Sequence, residues 1–188
     1  MHSITVRVPK GLTRKASKTE ILNLHSNRTQ IKERRILKLT AELVPKTAWN
    51  QSLAKLLPRS VWDSIRGDII ERNGRKCQIC GETEGVMNLH EIWEYDDVSH
   101  FQKLNGFILL CTMCHHVKHI GLAGILAREG KLDYSEVMKH FCKVNNCSEK
   151  DFEKHVAEAF EIWRRRSEHN WKQDFGEYKE FIRNEKKI

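Results

Sequence analysis

The chain has 188 residues, a formal net charge of +8, 39% hydrophobic residues and six cysteines. That length suits one domain with extensions rather than several domains, and no run approaches the ~18 apolar residues of a membrane span. The first residues lack the hydrophobic core of a secretory signal, so the expectation is a cytoplasmic protein without a membrane partner, whose positive charge meets a polyanion or an acidic surface.

Residues 1–45 hold ten Lys or Arg against three Glu, which places nearly all of the excess charge in that stretch. A basic arm on a near-neutral body suits sequence-independent contact with nucleic-acid phosphates. The candidate contacts there are Lys10, Arg14, Lys15, Lys18, Arg34 and Arg35; a solvated leader that only aids solubility has the same composition. Residues 1–16 read as extended, with a turn at Pro9-Lys10-Gly11. Ser17 to Glu20 has the spacing of a capping box and predicts a short helix over 18–25. From Arg35 to Leu43, Leu37, Leu39, Ala41 and Leu43 alternate with other residues as in a half-buried strand, and Ile36, Leu39 and Leu43 also fit a helix.

Val44-Pro45 ends that element. The spacing of Ser60 and Asp63 predicts a second capping box, opening a helix that carries Val61, Ile65 and Ile69 on one stripe and stops at Asn73-Gly74. Val86 to Tyr95 is rich in β-branched and aromatic residues and reads as a strand; residues 96–105 read as a loop. Gly106 to Leu110 reads as a short strand, and Thr112 to about Ala127 as a helix. The last third reads as helical. Tyr134 to Cys142 forms one helix, and Ser148 caps a longer one bearing Phe152, Val156, Phe160 and Trp163. Trp171, Phe175, Tyr178 and Phe181 continue an aromatic stripe that packs on the rest of the chain or on a protein partner such as a second copy. Arg164 to Arg166 read as a solvated face or as phosphate contacts, and Cys142 and Cys147 as buried thiols.

Two Cys-x-x-Cys pairs, Cys77/Cys80 and Cys111/Cys114, supply four soft ligands at the spacing that closes a tetrahedral structural zinc site. The interval between them exceeds the roughly 15–20 residues of a plain zinc ribbon, so residues 81–110 are an insert. His115 and His119 lie four apart on the predicted helix and so project from one face, able to chelate one ion. His90 on the facing strand would be a third ligand; hydrogen bonding to the zinc sulfurs and a dipole-favoured helix end are the other roles open to His115 and His119.

Cys-x-x-Cys, a strand carrying His90-Glu91, a second strand, and Cys111-Thr112-Met113-Cys114-His115-His116-Val117-Lys118-His119 together resemble the HNH endonucleases over residues 60–125, with similarity to small bacterial and phage proteins that carry His-Glu-Ile-Trp. The resemblance implies an α+β chain: a ββα-metal module with structural zinc at 46–130, the basic arm at 1–45, and a helical extension at 131–188. It also implies metal-dependent hydrolysis of double-stranded DNA, with His90, Glu91, His115 and His119 as catalytic residues. His90, His115 and His119 would hold Mg²⁺, Mn²⁺, Ni²⁺ or Zn²⁺, and Lys118 would touch phosphate. Gly106, beside Asn105, stands where the family has its asparagine. His90-Glu91 stands where Asp-His or His-His is typical, so either His90 ligates and Glu91 is the base, or His90 is the base after Leu89. A zinc-containing DNA-binding module that does not cut, and a partner-binding assembly protein, are the other readings.

Overall fold

The structure, a computed structural model, describes residues 36–49 and 51–182, together with the backbone of Thr5–Val6 and Arg14–Lys15. The chain divides into two units, residues 1–36 and 37–188. In the first, β1 (Thr5–Val6) pairs antiparallel with β2 (Arg14–Lys15). The expected helix at 18–25, the whole of Lys10, Lys18, Arg34 and Arg35, and the side chains of Arg14 and Lys15 lie outside the described residues.

The second unit mixes helices with a three-stranded sheet. A short helix α1 (Leu53–Leu56) leads into α2 (Arg59–Asn73). Ser60 does not cap α2. Pro58 occupies the cap position with extended ψ, the helix begins at Arg59, and Asp63 bonds the Arg59 guanidinium one turn back at 2.7 Å. Gly74 ends the helix at φ 75°, a conformation that favours glycine.

The central feature is a hairpin of β3 (Met87–Asp96) and β4 (Phe101–Cys111). The second strand begins five residues earlier than residue 106, because Asp96 organises a tight turn. Its carboxylate accepts from the Val98 and Ser99 amides and the Ser99 hydroxyl, which lets Phe101 to Leu104 pair with β3 as strand. The register shifts between Ile92 and Trp93, opposite Gly106, whose φ of 137° is open to glycine and strained for other residues.

Two helices follow where one continuous helix was expected: α3 (Thr112–Lys118) and α4 (Ile120–Arg128), broken at His119 with φ −96° and ψ 49°. The C-terminal part adds α5 (Tyr134–Asn145) and α6 (Glu149–Arg166), the latter opened by a capping box between Ser148 and Asp151. Beyond α6 no described residue is in an α-helix. Lys172–Asp174 forms β5, parallel to β4, and Gly176–Phe181 is a 3-10 turn. Three of the four aromatics pack within the chain, edge to face: Trp171 against Tyr95, Phe175 against Trp93, and Tyr178 against Phe107, while Phe181 is 47% exposed. Arg166 grips Asp97 with two bonds of 2.6 and 2.9 Å and lies over the Tyr95 ring, so it is committed to the fold. No described helix is long and apolar enough to cross a membrane.

Residues 36–45 form no strand. Leu39 is buried, with Leu37, Ala41 and Leu43 packed beside it, so the alternation is real. Among the described residues no strand pairs with this segment; the Glu42 amide donates to the Lys118 carbonyl at 2.8 Å, and elsewhere side chains take the ladder's place. Asn145 accepts from the Lys38 and Leu39 amides at 2.9 and 3.1 Å and donates to the Leu39 carbonyl at 2.9 Å; His155 Nε2 accepts from the Ala41 amide at 2.9 Å. Asn145→Ala leaves three backbone groups without a partner at a mostly buried position, and is expected to lower unfolding free energy by about 2–4 kcal/mol. A change below 1 kcal/mol in urea titration would contradict that account.

His155 must be neutral to accept at Nε2, and burial holds its pKa below the ordinary histidine value. The unfolded chain therefore takes the proton first as pH falls. The contribution is complete above about pH 6.5 and declines as pH drops through that value toward the folded pKa. Urea midpoints at pH 7.5 and 5.5 should differ less in His155→Gln than in the wild type; an equal acid loss in both would remove the tether from the explanation.

Candidate metal centre and the cleft beside it

The first Cys-x-x-Cys turn follows α2 directly. The Cys77 amide bonds the Glu82 carbonyl at 2.7 Å, and Gly81, at φ 84°, returns its amide to the Cys77 carbonyl at 2.9 Å. Gln78 fastens this turn to β4 by donating its amide to the Leu109 carbonyl and accepting the Leu109 amide at 2.7 Å. The second pair sits where β4 becomes α3, and the Cys111 sulfur accepts from the Cys114 amide at 3.4 Å.

The four sulfurs lie within 4.8 Å of one another, and those of Cys80 and Cys111 are 3.6 Å apart. Tetrahedral Zn–S bonds of about 2.3 Å require sulfur separations of about 3.8 Å, so the cluster fits a metal ion. The cysteines belong together electrostatically as well. The Cys77–Cys114 hydrogen bond lowers the Cys77 thiol to about 4 and raises that of Cys114, while burial pushes Cys111 up to about 11. Only a cation lets all four sulfurs ionise side by side. His140 on α5 puts Nε2 3.1 Å from the Cys114 sulfur. Sequence spacing gave no hint of it, since it lies 26 residues from Cys114 on another helix.

A second cluster lies on the same hairpin and helix. Ligand nitrogens of His90, His115 and His119 fall within 4.8 Å of one another, with ring centroids 4.5 to 5.6 Å apart. His90 is 6% exposed. Tetrahedral bonds of about 2.1 Å set nitrogens about 3.4 Å apart, a closure within the reach of side-chain rotation. Burial, and then the neighbouring imidazoles, lower His115 to about 3 and His119 to about 4, so both rings are neutral.

Glu42, from the extended segment, completes this cluster. Its Oε2 is 3.2 Å from His90 Nε2, and its Oε1 pairs with Lys118, which also bonds Thr40. Burial would raise the Glu42 carboxyl, but the His90 bond and the Lys118 ammonium hold it below its ordinary value. An ionised carboxylate only accepts, so His90 donates to it from Nε2. Lys118, at 11% side-chain exposure, is turned to Glu42 instead of solvent. Glu42 lies 48 residues before His90, in no motif with it.

Successive strand residues alternate faces. Leu89 therefore enters the cluster of Leu53, Leu57 and Ile65, and Glu91 accepts from the Leu53 amide at 2.7 Å and from the Trp93 indole at 3.0 Å. Burial raises the Glu91 carboxyl above its ordinary value. His90, Glu91, His115 and His119 all border one cleft of about 410 Å³, walled by the chain from Glu42 to Trp62 and by β3. Set against protein-family models, curated proteins and solved structures, the chain matches none.

Proposed function

We propose that the chain is a cytoplasmic, metal-dependent endonuclease of HNH type that hydrolyses DNA phosphodiester bonds. In this reading β3, β4 and α3 form a ββα-metal unit, the four cysteines hold a structural zinc, and the basic arm and Lys/Arg-bearing helices hold the DNA. The observation that carries it is the convergence of His90, His115 and His119 from strand and helix on one point at a cleft.

Hydrolysis needs a water deprotonated as it attacks phosphorus, opposite the leaving oxygen, and stabilisation of the charge that builds on the phosphate. A divalent cation held by the three imidazoles would supply that stabilisation. Glu42 fixes the His90 tautomer, and Lys118 keeps Glu42 ionised and in place. With His90 as a ligand, Glu91 is the proton acceptor, its carboxylate oriented by the Leu53 amide and the Trp93 indole. With His90 outside the ligand set, its own Nδ1 takes the proton.

The test is incubation of supercoiled plasmid and single-stranded circular DNA with Mg²⁺, Mn²⁺, Ni²⁺ or Zn²⁺. Cleavage is expected with at least one cation and is lost in His90→Ala. Glu91→Gln separates the two arrangements, because it stops cleavage only if Glu91 is the base. Absence of cleavage with every cation, or activity surviving His90→Ala, His115→Ala and His119→Ala alike, overturns the reading. Salt-sensitive DNA binding without cleavage would leave a binding module.

A further inference from the structure

The cleft carries more than the histidines need. Gln102, on β4, is 0% exposed, yet its Oε1 and Nε2 have no hydrogen-bond partner among the described residues. Gln173, its register partner on β5, has an unpartnered buried Oε1. Both side chains line the cleft. Native proteins keep few buried amides without partners, and a leucine would fill position 102 without that penalty. Two adjacent amides that together leave one donor and two acceptor atoms free match the edge of a nucleobase, which offers both kinds of partner.

Trp49 stands on the same cleft at 50% exposure. The other tryptophans there are engaged: Trp62 packs on Phe107, and Trp93 packs on Phe175 and donates to Glu91. Trp49 has no aromatic neighbour and no indole hydrogen bond among the described residues. Arg66, also on the cleft, has no ion-pair partner among them. An exposed aromatic plane beside an unpaired cation is the equipment by which proteins hold single strands, one stacking on a base and the other meeting phosphate. A volume of about 410 Å³ falls in the range of sites for one small molecule, roughly 300–1,000 Å³, and is far too small for a double helix.

We infer that this cleft binds one unpaired nucleotide of a DNA strand: the base stacks on Trp49, its edge bonds Gln102 and Gln173, and a phosphate meets Arg66. The inference rests on the nuclease reading, and it makes unpaired DNA the substrate at the histidine cluster in place of the duplex that the sequence suggested.

The experiment is fluorescence anisotropy of the full, zinc-loaded chain with a fluorescein-labelled single-stranded 12-mer and with the same sequence as a duplex, without added divalent cation so that nothing is cut. Single-strand binding is expected to be at least tenfold tighter. Trp49→Ala and Gln102→Leu should each weaken it roughly tenfold while changing duplex binding less than twofold. Gln102→Leu removes a buried unpaired amide, so it should melt at the wild-type temperature or about 2–4 °C above, which separates lost contact from lost fold. Equal binding of both forms, no binding of either, or unchanged single-strand binding in both variants overturns the inference. Single-strand binding that behaves as expected, in a chain that cuts nothing in the plasmid assay, upholds the pocket and removes the nuclease.

Discussion

Replacing Cys111 and Cys114 together by serine is expected to abolish cooperative unfolding of residues 37–182 and to remove the metal ion that the four sulfurs would hold. The magnitude follows from two comparisons. Binding of structural zinc contributes about 10–16 kcal/mol to the folding of small zinc domains, as much as the roughly 5–15 kcal/mol net stability of an ordinary domain. Here the sulfurs are also part of the apolar interior: Cys77, Cys111 and Cys114 pack in the main core with Met87, Leu109, Leu110, Val117 and Phe141. Emptying the site would leave polar groups inside that core. His140→Ala should act more gently, lowering metal affinity about 10–100-fold while the fold persists. Thermal melts followed by circular dichroism, with metal content by mass spectrometry, check both. A double serine variant that melts like the wild type would show that the cysteines do not hold the fold through a metal.

In the proposed nuclease, His119→Ala should lower cleavage by about a thousandfold or more, the several kcal/mol that a cation bound there would contribute to stabilising a phosphoryl transition state. Glu42→Gln should cost less, about 10–100-fold, because it removes the group that orients His90 and leaves the nitrogens in place. Glutamine also lacks the charge that holds Lys118, and its amide can donate as well as accept, so the His90 tautomer becomes free. Cleavage rates at saturating cation separate the two variants. If raising the cation concentration restores Glu42→Gln fully but not His119→Ala, Glu42 acts through His90 as described. Equal, unrescued loss in both would make Glu42 a direct participant.

The parts legible in the sequence are those where chemistry is set by short spacing. Two residues between cysteines and three between His115 and His119 fix distances almost regardless of the surroundings. His119 shows the limit of that logic, since the helix breaks at this residue, yet the two rings stay 4.5 Å apart because they are only one turn distant. What was hidden depends on contacts across the chain. The alternation at Leu37 to Leu43 was visible, but the sequence could not show that Asn145 and His155, 106 to 114 residues away, would replace a neighbouring strand. Gln102, Lys103 and Asn105, interspersed with Phe101 and Leu104, concealed the first half of β4, whose pairing depends on the Asp96 turn and on Gly106. The aromatics from Trp171 onward suggested a helix face; instead Trp171 and Phe175 flank β5, and Tyr178 and Phe181 sit in the 3-10 turn, where packing on the hairpin decides the backbone.

The pinning of residues 37–44 bears on any attempt to excise the metal-bearing hairpin as a portable cassette. A fragment trimmed to residues 60–125 would keep every ligand of both clusters and still be crippled. It would lose the carboxylate behind His90, the tryptophan at the cleft mouth, and the two C-terminal helices whose Asn145 and His155 anchor the strand-like segment. The smallest transplantable piece is therefore nearly the whole of 37–182.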